Sequence, residues 1–396
     1  MVIITTSTFP EGNASTNRIL AYCKGLIENY ETVYVISIKP NYNCEKRAIR
    51  FNYYGVNIDY FALPNLLPIS NKFLRFMNRQ IIYAQTIHHF FIKKYRSTSI
   101  LFHGRSLIIE IIVYIICRLN DNVLLFEEDE HPSIYSRNMG FVKRNIYGYC
   151  DFHIRYKLYS GYLIMTESLI QYFLNLGIPE DNMKLIPHTV VIERFVNPIS
   201  IYKFNKYMCF VGSLNENKDG ILSLVKAFSI ISNKYNDLHL VIAGYGSKLD
   251  KQLLFDLIHI HNLSPKVHFL GELSSNVIPG LLNNALVLLS CRPYSVQALY
   301  GFSTKIVEYL ATGKPIVTTA YGDLKNYLKD GVNAFVAESS NYQIFANKII
   351  EVIENYDKAI EVGQKGKELA VNSFNPTTQA KMIIDFVSEL RMRKRY

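Results

Sequence analysis

YGFSTKIVEYLATGKPIVTTA, residues 300–320, decides the fold, because a loop, a helix and a strand follow one another directly within it. Small residues precede an amphipathic run over residues 305–311, as they do at the start of many helices. Gly313 and Pro315 end that run before a β-branched segment over residues 316–319. The stretch therefore predicts a helix that begins beside a loop and leads into a buried strand.

The start of this predicted helix suits a phosphate group. The first N–H groups of a helix have no partner within the helix and lie at the positive end of its dipole. Ser303 and Thr304 stand at this start, and Lys305 adds a formal positive charge. Glu308 shares a face with Lys305, and its carboxylate is suited to accept hydrogen bonds from vicinal sugar hydroxyls. An ordinary surface helix is the alternative.

The segment GFSTKIVEYLATGKP, residues 301–315, resembles the donor-binding segment of the large family of retaining glycosyltransferases with the GT-B fold, of the group 1 or family 4 type. The matching subgroup reads S-K-x-x-E-Y-x-x-x-G-K-P. The resemblance implies that the helix start binds the donor diphosphate and that Glu308 holds the ribose. Many members carry a second glutamate near the transferred sugar, where this chain has Tyr300.

Two further segments carry the same resemblance. KLIPHTVVIERF, residues 184–195, is similar to the linker between the two domains of the family, with His188 and Thr189 in place of its Asn and Gly. GSLNENK, residues 212–218, is similar to a segment G-R-L-x-x-x-K, whose Arg and Lys grip the donor diphosphate. Three motifs in the family's order are stronger than any one of them.

The phosphate-gripping segment keeps its lysine, Lys218, but Ser213 replaces the arginine. We expect Lys305 to supply the missing charge, so that Lys305→Ala lowers turnover as severely as Lys218→Ala. Gly244 begins a G-Y-G sequence after the next predicted strand, and it matches the family's G-x-G at that place. A dinucleotide fingerprint is a poorer match, because its third glycine position holds Leu249.

The N-terminal half begins as a doubly wound α/β unit. Residues 1–6 predict a strand, residues 9–13 a turn and residues 15–27 a helix. Ligands of such units bind beyond the carboxyl ends of the strands. Gly12 resembles the glycine of the family's N-terminal loop, where the backbone approaches the donor phosphate or the acceptor. An ordinary turn after Pro10 is the alternative.

Polar residues follow two more predicted strands of this half. His103 ends the strand over residues 100–102 and resembles the family's histidine near the transferred sugar, although histidines at strand ends often have only a structural role. The strand over residues 122–126 leads into EEDEH, residues 127–131, which indicates either a solvated loop or a site for acceptor hydroxyls. The candidate acceptor-binding residues are Arg105, Asp129, Glu130 and His131.

The composition indicates a globular protein with room for two domains, since 396 residues have 49% hydrophobic content. The longest apolar run, residues 107–116, is interrupted by Glu110 and is too short to span a bilayer. The N-terminus lacks the charged region of a signal peptide, so we expect the chain in the cytosol. The scattered cysteines predict reduced thiols and no structural zinc; they are Cys23, Cys44, Cys117, Cys150, Cys209 and Cys291.

The net charge of the chain is +10, and part of its positive charge is concentrated in two regions. Residues 60–109 contain seven Lys or Arg and no Asp or Glu, and residues 391–396 read RMRKRY. Within the first region, residues 71–96 predict a helix with an apolar stripe and basic flanks. Such a helix either docks on an anionic membrane, or packs its apolar stripe into the core and exposes its basic face to solvent. We expect both basic regions to face a membrane, and we expect the protein not to bind nucleic acid.

The predicted fold class is α/β, with two doubly wound (Rossmann-like) parallel-sheet domains that face a cleft in the GT-B manner. The N-terminal, acceptor-side domain spans residues 1–196, and the C-terminal, donor-binding domain spans residues 200–375. The C-terminal helix, residues 376–396, is expected to pack back on the first domain.

The resemblance implies a retaining, metal-independent glycosyltransferase without a cofactor. It would move a sugar from a UDP- or GDP-sugar to a hydroxyl of a lipid-linked oligosaccharide, in the biosynthesis of a capsule, a lipopolysaccharide O-antigen or an exopolysaccharide. We expect a cytoplasmic enzyme, peripheral on the inner face of the cell membrane. The predicted catalytic residues are Lys218, Glu308 and His103. The predicted donor-binding residues are Gly12, Gly212, Ser213, Lys218, Gly244, Ser303, Thr304, Lys305 and Glu308.

Tyr300 and Ser213 also favour an alternative, a catalytically weak sugar-nucleotide or glycan-binding protein on the same fold. A nucleic-acid binder is a third interpretation, but it rests on charge alone, because no nucleic-acid motif accompanies the Lys and Arg residues. A non-hydrolysing sugar-nucleotide epimerase shares the fold, but its motifs match less well.

Overall fold

The computed structural model describes residues 1–41, 48–64, 71–93, 98–136, 139–200, 204 and 206–394. The chain forms two compact units. Unit 1 comprises Met1–Thr189 together with the C-terminal helix from Pro376, and unit 2 comprises Val190–Asn375.

The elements of unit 1 before the crossing to unit 2 are β1 (Val2–Thr5), α1 (Ala14–Glu28), β2 (Tyr34–Asn41), β3 (Ala48–Tyr53), β4 (Val56–Pro64), α2 (Lys72–Lys93), β5 (Ser99–His103), α3 (Leu107–Leu119), β6 (Val123–Glu128), α4 (Pro132–Ser136), α5 (Phe141–His153), a 3₁₀ turn (Arg155–Lys157), β7 (Gly161–Ile164), α6 (Glu167–Asn175), a 3₁₀ turn (Glu180–Asn182) and β8 (Met183–Leu185).

The elements of unit 2 are a 3₁₀ turn (Ile192–Phe195), β9 (Tyr207–Ser213), α7 (Glu216–Asp219), α8 (Ile221–Lys234), β10 (His239–Tyr245), α9 (Lys248–Ile260), β11 (Val267–Phe269), α10 (Ile278–Asn283), β12 (Val287–Ser290), α11 (Val296–Tyr300), α12 (Thr304–Thr312), β13 (Ile316–Thr319), α13 (Leu324–Tyr327), β14 (Phe335–Ala337), α14 (Tyr342–Glu354) and α15 (Tyr356–Ser373). Helix α16 (Pro376–Lys394) then returns to unit 1.

The sheet of unit 1 has, within the described residues, the strand order β3-β4-β2-β1-β5-β6-β7-β8. Its central strands β1, β5 and β6 are buried along their whole length, as strands covered by helices on both faces must be. Strand β3 alone among these runs antiparallel, because Tyr54 and Gly55 adopt positive φ and turn the chain back into β4. The order reverses between β1 and β5, so the carboxyl ends of these two strands form a topological switch point.

Helix α16 belongs to the core of unit 1 and packs along α1. Gly25 of α1 allows this contact, since a Cβ there would lie 2.1 Å from the carbonyl oxygen of Pro376. The buried residues that α16 supplies are Ala380, Ile383, Phe386, Val387 and Leu390. No helix among the described residues is long and apolar enough to cross a membrane.

The sheet of unit 2 is parallel throughout its described strands, in the order β11-β10-β9-β12-β13-β14. Its switch point lies between β9 and β12. Helix α12 ends where Gly313 adopts φ 76°, and β13 follows, so the opening stretch folds into the predicted helix and strand. Gly244 is required in β10, because a Cβ there would lie 1.7 Å from the carbonyl oxygen of Gly212.

Residues 190–196 belong to unit 2, whereas the sequence analysis assigned them to the first domain. The turn Ile192–Phe195 is held by unit 2, since Asn283 Nδ2 donates a hydrogen bond of 2.8 Å to the carbonyl oxygen of Phe195. The motif of residues 184–195 therefore contains the crossing between the units, which comes a few residues before the predicted boundary.

Candidate functional site

The switch point of unit 2 brings residues 212–218 beside the end of β12. Leu288 pairs with Cys209 across β12 and β9. Arg292 follows β12, and its Nη2 donates a hydrogen bond of 2.8 Å to the carbonyl oxygen of Gln297. A close approach supports this placement, because a Cβ on Gly220 would lie 1.8 Å from the carbonyl oxygen of Cys291. Arg292, a cation that the sequence analysis did not select, acts electrostatically on Asp219, to which the backbone N–H of Ser213 donates.

Lys305, in the first turn of α12, forms an ion pair with Asp219, at 2.7 Å between Nζ and Oδ1. The ammonium also lies 4.5 Å from the centre of the Phe210 ring. The backbone N–H of Ser213 donates to Asp219 Oδ2 at 2.8 Å and so fixes the carboxylate. Gly212 is required here, because a Cβ would lie 2.4 Å from Lys305 Nζ.

The charges of this cluster do not balance. Burial lowers the pKa of Lys305; Asp219 opposes that effect, while Arg292 and Lys218 lower the pKa further. Burial raises the pKa of Asp219, but Lys305 outweighs it and the pKa is lowered overall. The lowered pKa of Asp219 keeps its carboxylate ionised at neutral pH. Lys305 pairs with Asp219, and Arg292 and Lys218 lie close enough to act electrostatically on this pair. Such a partly buried group of basic side chains favours an anion.

The amino end of α12 adds further donors. Ser303 is the buried N-cap residue of this helix, but its side chain makes no capping hydrogen bond. The first backbone N–H groups of the helix, which begins at Thr304, therefore have no hydroxyl cap and suit a phosphate. Lys218 lies on the short helix α7 and is half-buried. Tyr300 ends α11, an element that the sequence analysis did not predict.

Glu308 is oriented by an arginine that the sequence analysis did not select. Arg194 Nη1 donates to Glu308 Oε1, and Arg194 Nη2 donates to the carbonyl oxygen of Ser275 at 3.3 Å. Arg194 is buried and Glu308 partly so. Arg194 stands within the linker-like motif, which was a usable signal, but the sequence gives no hint that it meets a residue 114 positions away.

His103 lies at the switch point of unit 1. The register aligns Thr5 of β1, His103 of β5 and Glu127 of β6 at one edge of the sheet. His103 is buried, with Nδ1 3.4 Å from the Thr5 hydroxyl and Nε2 3.5 Å from Glu127 Oε2. Glu127 also pairs with Arg18 and accepts a hydrogen bond of 2.7 Å from the Tyr22 hydroxyl. The imidazole is therefore oriented by its neighbours within the unit.

Gly12 lies in the loop after β1, before α1. A Cβ at this position would lie 2.2 Å from the hydroxyl of Thr16, which itself donates a hydrogen bond of 2.7 Å to the carbonyl oxygen of Thr8. The glycine thus lets the loop close against the first turn of the helix, and contact with a ligand stays a prediction.

The run of four acids is not a solvated loop. Strand β6 continues through Glu127 and Glu128, whose side chains point to opposite faces of the sheet and are both buried. Asp129 follows the strand and accepts a hydrogen bond of 2.7 Å from the Tyr135 hydroxyl. Glu130 is half-buried. Asp129 and Glu130 therefore directly follow the carboxyl end of β6, as expected from the sequence.

His131 has a fixed orientation. Its Nδ1 accepts a hydrogen bond of 3.2 Å from the backbone N–H of Ser133, and its ring lies edge-on to Tyr172, at 4.4 Å between centres. Burial lowers the pKa of this histidine. A neutral imidazole is the form that can accept a proton.

Arg105 is engaged in a buried ionic network, a feature that the sequence analysis did not foresee. Its guanidinium pairs with Glu128, lies 2.6 Å from Asp151 and stacks on the Tyr135 ring. Arg155 extends the network from Asp151 to Glu110. Arg105 therefore holds β6, α3 and α5 together, and a contact with an acceptor stays a prediction.

No group of three or more His, Cys, Asp or Glu in the described part of the chain is placed to hold a metal ion.

The structure is similar to solved glycosyltransferases over nearly its whole length. Sucrose-phosphate synthase from Thermosynechococcus elongatus matches with a TM-score of 0.75 and 12% identity, over 99% of both chains. The HepE protein of Anabaena, in complex with UDP, matches with a TM-score of 0.68 and 16% identity, over 98% of this chain and 99% of the other. The two units are those of the GT-B fold, which confirms the predicted fold class.

The family of the second unit follows from its sequence. Residues 191–369 match the family model of the glycosyl transferases group 1, so unit 2 is a domain of that family. An uncharacterized glycosyltransferase of Methanocaldococcus jannaschii is 28% identical over 193 residues, which are 48% of this chain and 50% of that protein. The chain spans half or less of the length of the first curated relatives it matches.

Proposed function

We propose that this protein is a retaining glycosyltransferase that moves a sugar from a nucleoside diphosphate sugar to a hydroxyl group. The observation that carries the proposal is the cationic cluster at the switch point of unit 2. Lys305 pairs with Asp219 beside the amino end of α12, and Arg292 and Lys218 act electrostatically on this pair. A diphosphate supplies the negative charge that this cluster lacks.

The cluster would also act on the chemical step. The bond between the anomeric carbon and the diphosphate oxygen breaks, a bond to the acceptor oxygen forms on the same face, and the hydroxyl proton leaves. Negative charge then grows on the departing diphosphate, where the three cations and the helix N-terminus stabilise it without a metal or another cofactor. Glu308, held by Arg194, would bind the ribose hydroxyls.

UDP is the nucleotide to test first, because a structural neighbour of the whole chain was solved with it. GDP stays the alternative. Asp129, Glu130 and His131, which follow β6 of unit 1, are proposed to bind the acceptor and take up its proton, with His103 beside the transferred sugar.

The acceptor we propose is a lipid-linked oligosaccharide in the biosynthesis of a capsule, O-antigen or exopolysaccharide, handled by an enzyme that is peripheral on the inner face of the cell membrane. Helix α2 supports a membrane location, because the apolar side chains of its first turns are exposed beside Arg75 and Arg79. These apolar residues are Phe73, Leu74, Phe76, Met77 and Ile81. Other members of the two basic regions lie outside the described residues or side chains, namely Lys72, Lys93, Lys94, Arg96, Lys394, Arg395 and Tyr396.

Calorimetric titration with UDP, GDP and ADP, first in EDTA and then with magnesium, tests the donor site. We expect micromolar binding of one nucleotide in EDTA and its loss in Glu308→Ala. Lys365→Ala, an exposed lysine on α15, is the matched control. Binding that requires magnesium would overturn the metal-free site, and no binding of any nucleotide would overturn the proposed function. The anomeric configuration of the product, read by NMR, tests retention.

The second candidate is a catalytically weak sugar-nucleotide or glycan-binding protein, favoured by Tyr300 and Ser213. Nucleotide binding without any donor hydrolysis or sugar transfer would favour it. Slow donor hydrolysis in the absence of acceptor would favour the enzyme.

A further inference from the structure

Unit 1 contains a cavity of about 310 Å³ at the edge of the sheet opposite its switch point. It lies at the amino edge of the sheet, because Asn122 precedes β6 and Ser160 precedes β7. Gly12, His103 and Asp129 follow the carboxyl ends of the strands, so the length of the sheet separates the two places. The residues that line this basal pocket are Tyr114, Cys117, Arg118, Asn122, Leu124, Lys157, Leu158, Tyr159, Ser160, Asn182, Leu390 and Arg393.

The described residues that line the basal pocket include three cations and no acid. The cations are Arg118, Lys157 and Arg393. Arg393 is held by Asp181: its Nη1 donates a hydrogen bond of 2.6 Å to the carbonyl oxygen, and its Nη2 lies 3.8 Å from the carboxylate Oδ2. The pocket thus presents three cations, of which Arg393 is pre-oriented and partly offset by Asp181.

Helix geometry explains only part of this arrangement. Arg118 and Arg393 stand in the last turns of α3 and α16, where a positive charge offsets the helix dipole, and Lys157 ends a short 3₁₀ turn. That effect accounts for the sign of the first two charges. It does not require that α3, the turn Arg155–Lys157 and α16 direct their ends to one cavity. Asp181 offsets the charge of Arg393, and an anion in the pocket would offset those of Arg118 and Lys157.

Exposed apolar side chains flank the same cations in sequence. Ile115 and Leu119 on α3 are 51% and 72% exposed, and Met392 on α16 is 59% exposed. The pocket floor is also apolar, with Leu124, Leu158 and Leu390. Cations that alternate with exposed apolar residues are typical of surfaces that contact phospholipid at the boundary between headgroups and acyl chains. A soluble phosphorylated ligand would use the cations but leave the apolar rim in water.

We propose that the basal pocket binds the phosphate headgroup of an anionic phospholipid, with Ile115, Leu119 and Met392 at the acyl boundary. This proposal rests on the membrane location within the proposed function, and it names a membrane contact other than α2. It does not depend on sugar transfer. The lipid would hold the amino edge of unit 1 against the bilayer.

Vesicle sedimentation tests the proposal on the whole chain, with phosphatidylcholine vesicles with and without phosphatidylglycerol. The test variant is Arg118→Gln with Lys157→Gln, since both side chains are exposed and their loss leaves the core intact. Lys365→Gln is a control for a single lost charge, and Arg75→Gln with Arg79→Gln removes two charges from α2. UDP titration of each variant monitors the donor site separately.

We expect binding only to vesicles with phosphatidylglycerol, weakened about fivefold for each pocket charge removed and about 25-fold in the double variant. UDP affinity should not change, so a failure of the lipid site is distinguishable from a failure of the donor site. Wild-type binding by the pocket variant, loss in the α2 variant alone, or no vesicle binding by the natural chain would each overturn the proposal. So would binding of glycerol 1-phosphate that depends on Arg118 and Lys157 without any vesicle binding.

Discussion

The ammonium of Lys305 lies 2.7 Å from the carboxylate of Asp219, so the lysine expected to replace a missing arginine is already paired with an acid. Removal of Lys305 would leave that carboxylate beside the bound diphosphate with its closest countercharge gone. A buried charge without its partner destabilises its surroundings and repels an anion.

Lys305→Ala is therefore expected to lower turnover as severely as Lys218→Ala, by about 10²- to 10³-fold in kcat. Addition of Asp219→Asn should recover part of this loss, because the repelling charge is removed while the amide oxygen can still accept from Ser213. Steady-state kinetics of the single and double variants measure both effects. Near-normal turnover of Lys305→Ala would show that this cation has no part in the reaction.

Arg292 is expected to contact the diphosphate and not the nucleoside. Arg292→Gln should therefore weaken UDP binding by about tenfold, as expected for one lost charge-assisted hydrogen bond, and leave uridine binding unchanged. Glu308→Gln should weaken both ligands to a similar degree, since the ribose is common to them. Titrations of the two variants with UDP and with uridine measure these affinities. An equal loss of affinity for both ligands in Arg292→Gln would contradict a contact between Arg292 and the diphosphate.

Gly212→Ala should abolish nucleotide binding while the unit stays folded. The new Cβ would lie 2.4 Å from Lys305 Nζ and 2.9 Å from Asp219 Oδ2, so the ion pair must move. The lysine side chain can withdraw, which spares the backbone but disrupts the anion site. Circular dichroism tests whether the variant stays folded, and UDP titration tests whether it has lost nucleotide binding. Gly148→Ala, at a position with no atom within 4 Å of a Cβ, is the control.

The network of Arg105 predicts a pH-dependent stability of unit 1. Burial raises the pKa of Glu128 from 4.5 to about 7, although Arg105 opposes the shift. Between these two pH values the folded state binds more protons than the unfolded state, so the free energy of unfolding falls as pH rises. Above pH 7 Glu128 is ionised in both states, and the destabilisation is complete. Glu128→Gln removes this titrating group. The difference in free energy of unfolding between wild type and variant should therefore change by up to about 3 kcal/mol between these two pH values.

Amide hydrogen exchange in α3 and α5 measures this difference at matched pH values, because both helices are held by the network. Arg50→Gln, which removes an exposed ion pair with Asp59, provides a control without a buried partner. A difference between wild type and Glu128→Gln that is constant from pH 4.5 to 7 would contradict the assignment.

Sequence patterns predicted the alternation of strands and helices, because buried parallel strands and amphipathic helices leave different local periods. The stretch of residues 300–320 is the clearest case. Helix α5 was missed because most of its first turns are exposed, which leaves no apolar stripe directed to a core. Strand β3 was missed because an edge strand has a weaker pattern than a central one.

The partners of the charged residues could not be predicted in the same way. Glu308 on α12 meets Arg194 in a 3₁₀ turn, and Arg105 after β5 meets Glu128 of β6, across long separations in sequence. Only the packing of the elements and the order of the strands decide which of these residues become neighbours. The four acids after residue 126 show the same limit. Strand β6 runs two residues further than its apolar pattern, and that extension buries Glu127 and Glu128.

Helix α16 gives the molecule a particular order of assembly. During synthesis the first 189 residues leave the ribosome early, but the core of unit 1 still lacks Ile383, Phe386 and Leu390 until the end of α16 is made. Unit 2 is continuous in sequence and can finish its own core first. The half of the protein that starts the chain is thus the half that matures last, and a ribosome that stops after residue 375 would release a finished unit 2 with an unfinished unit 1.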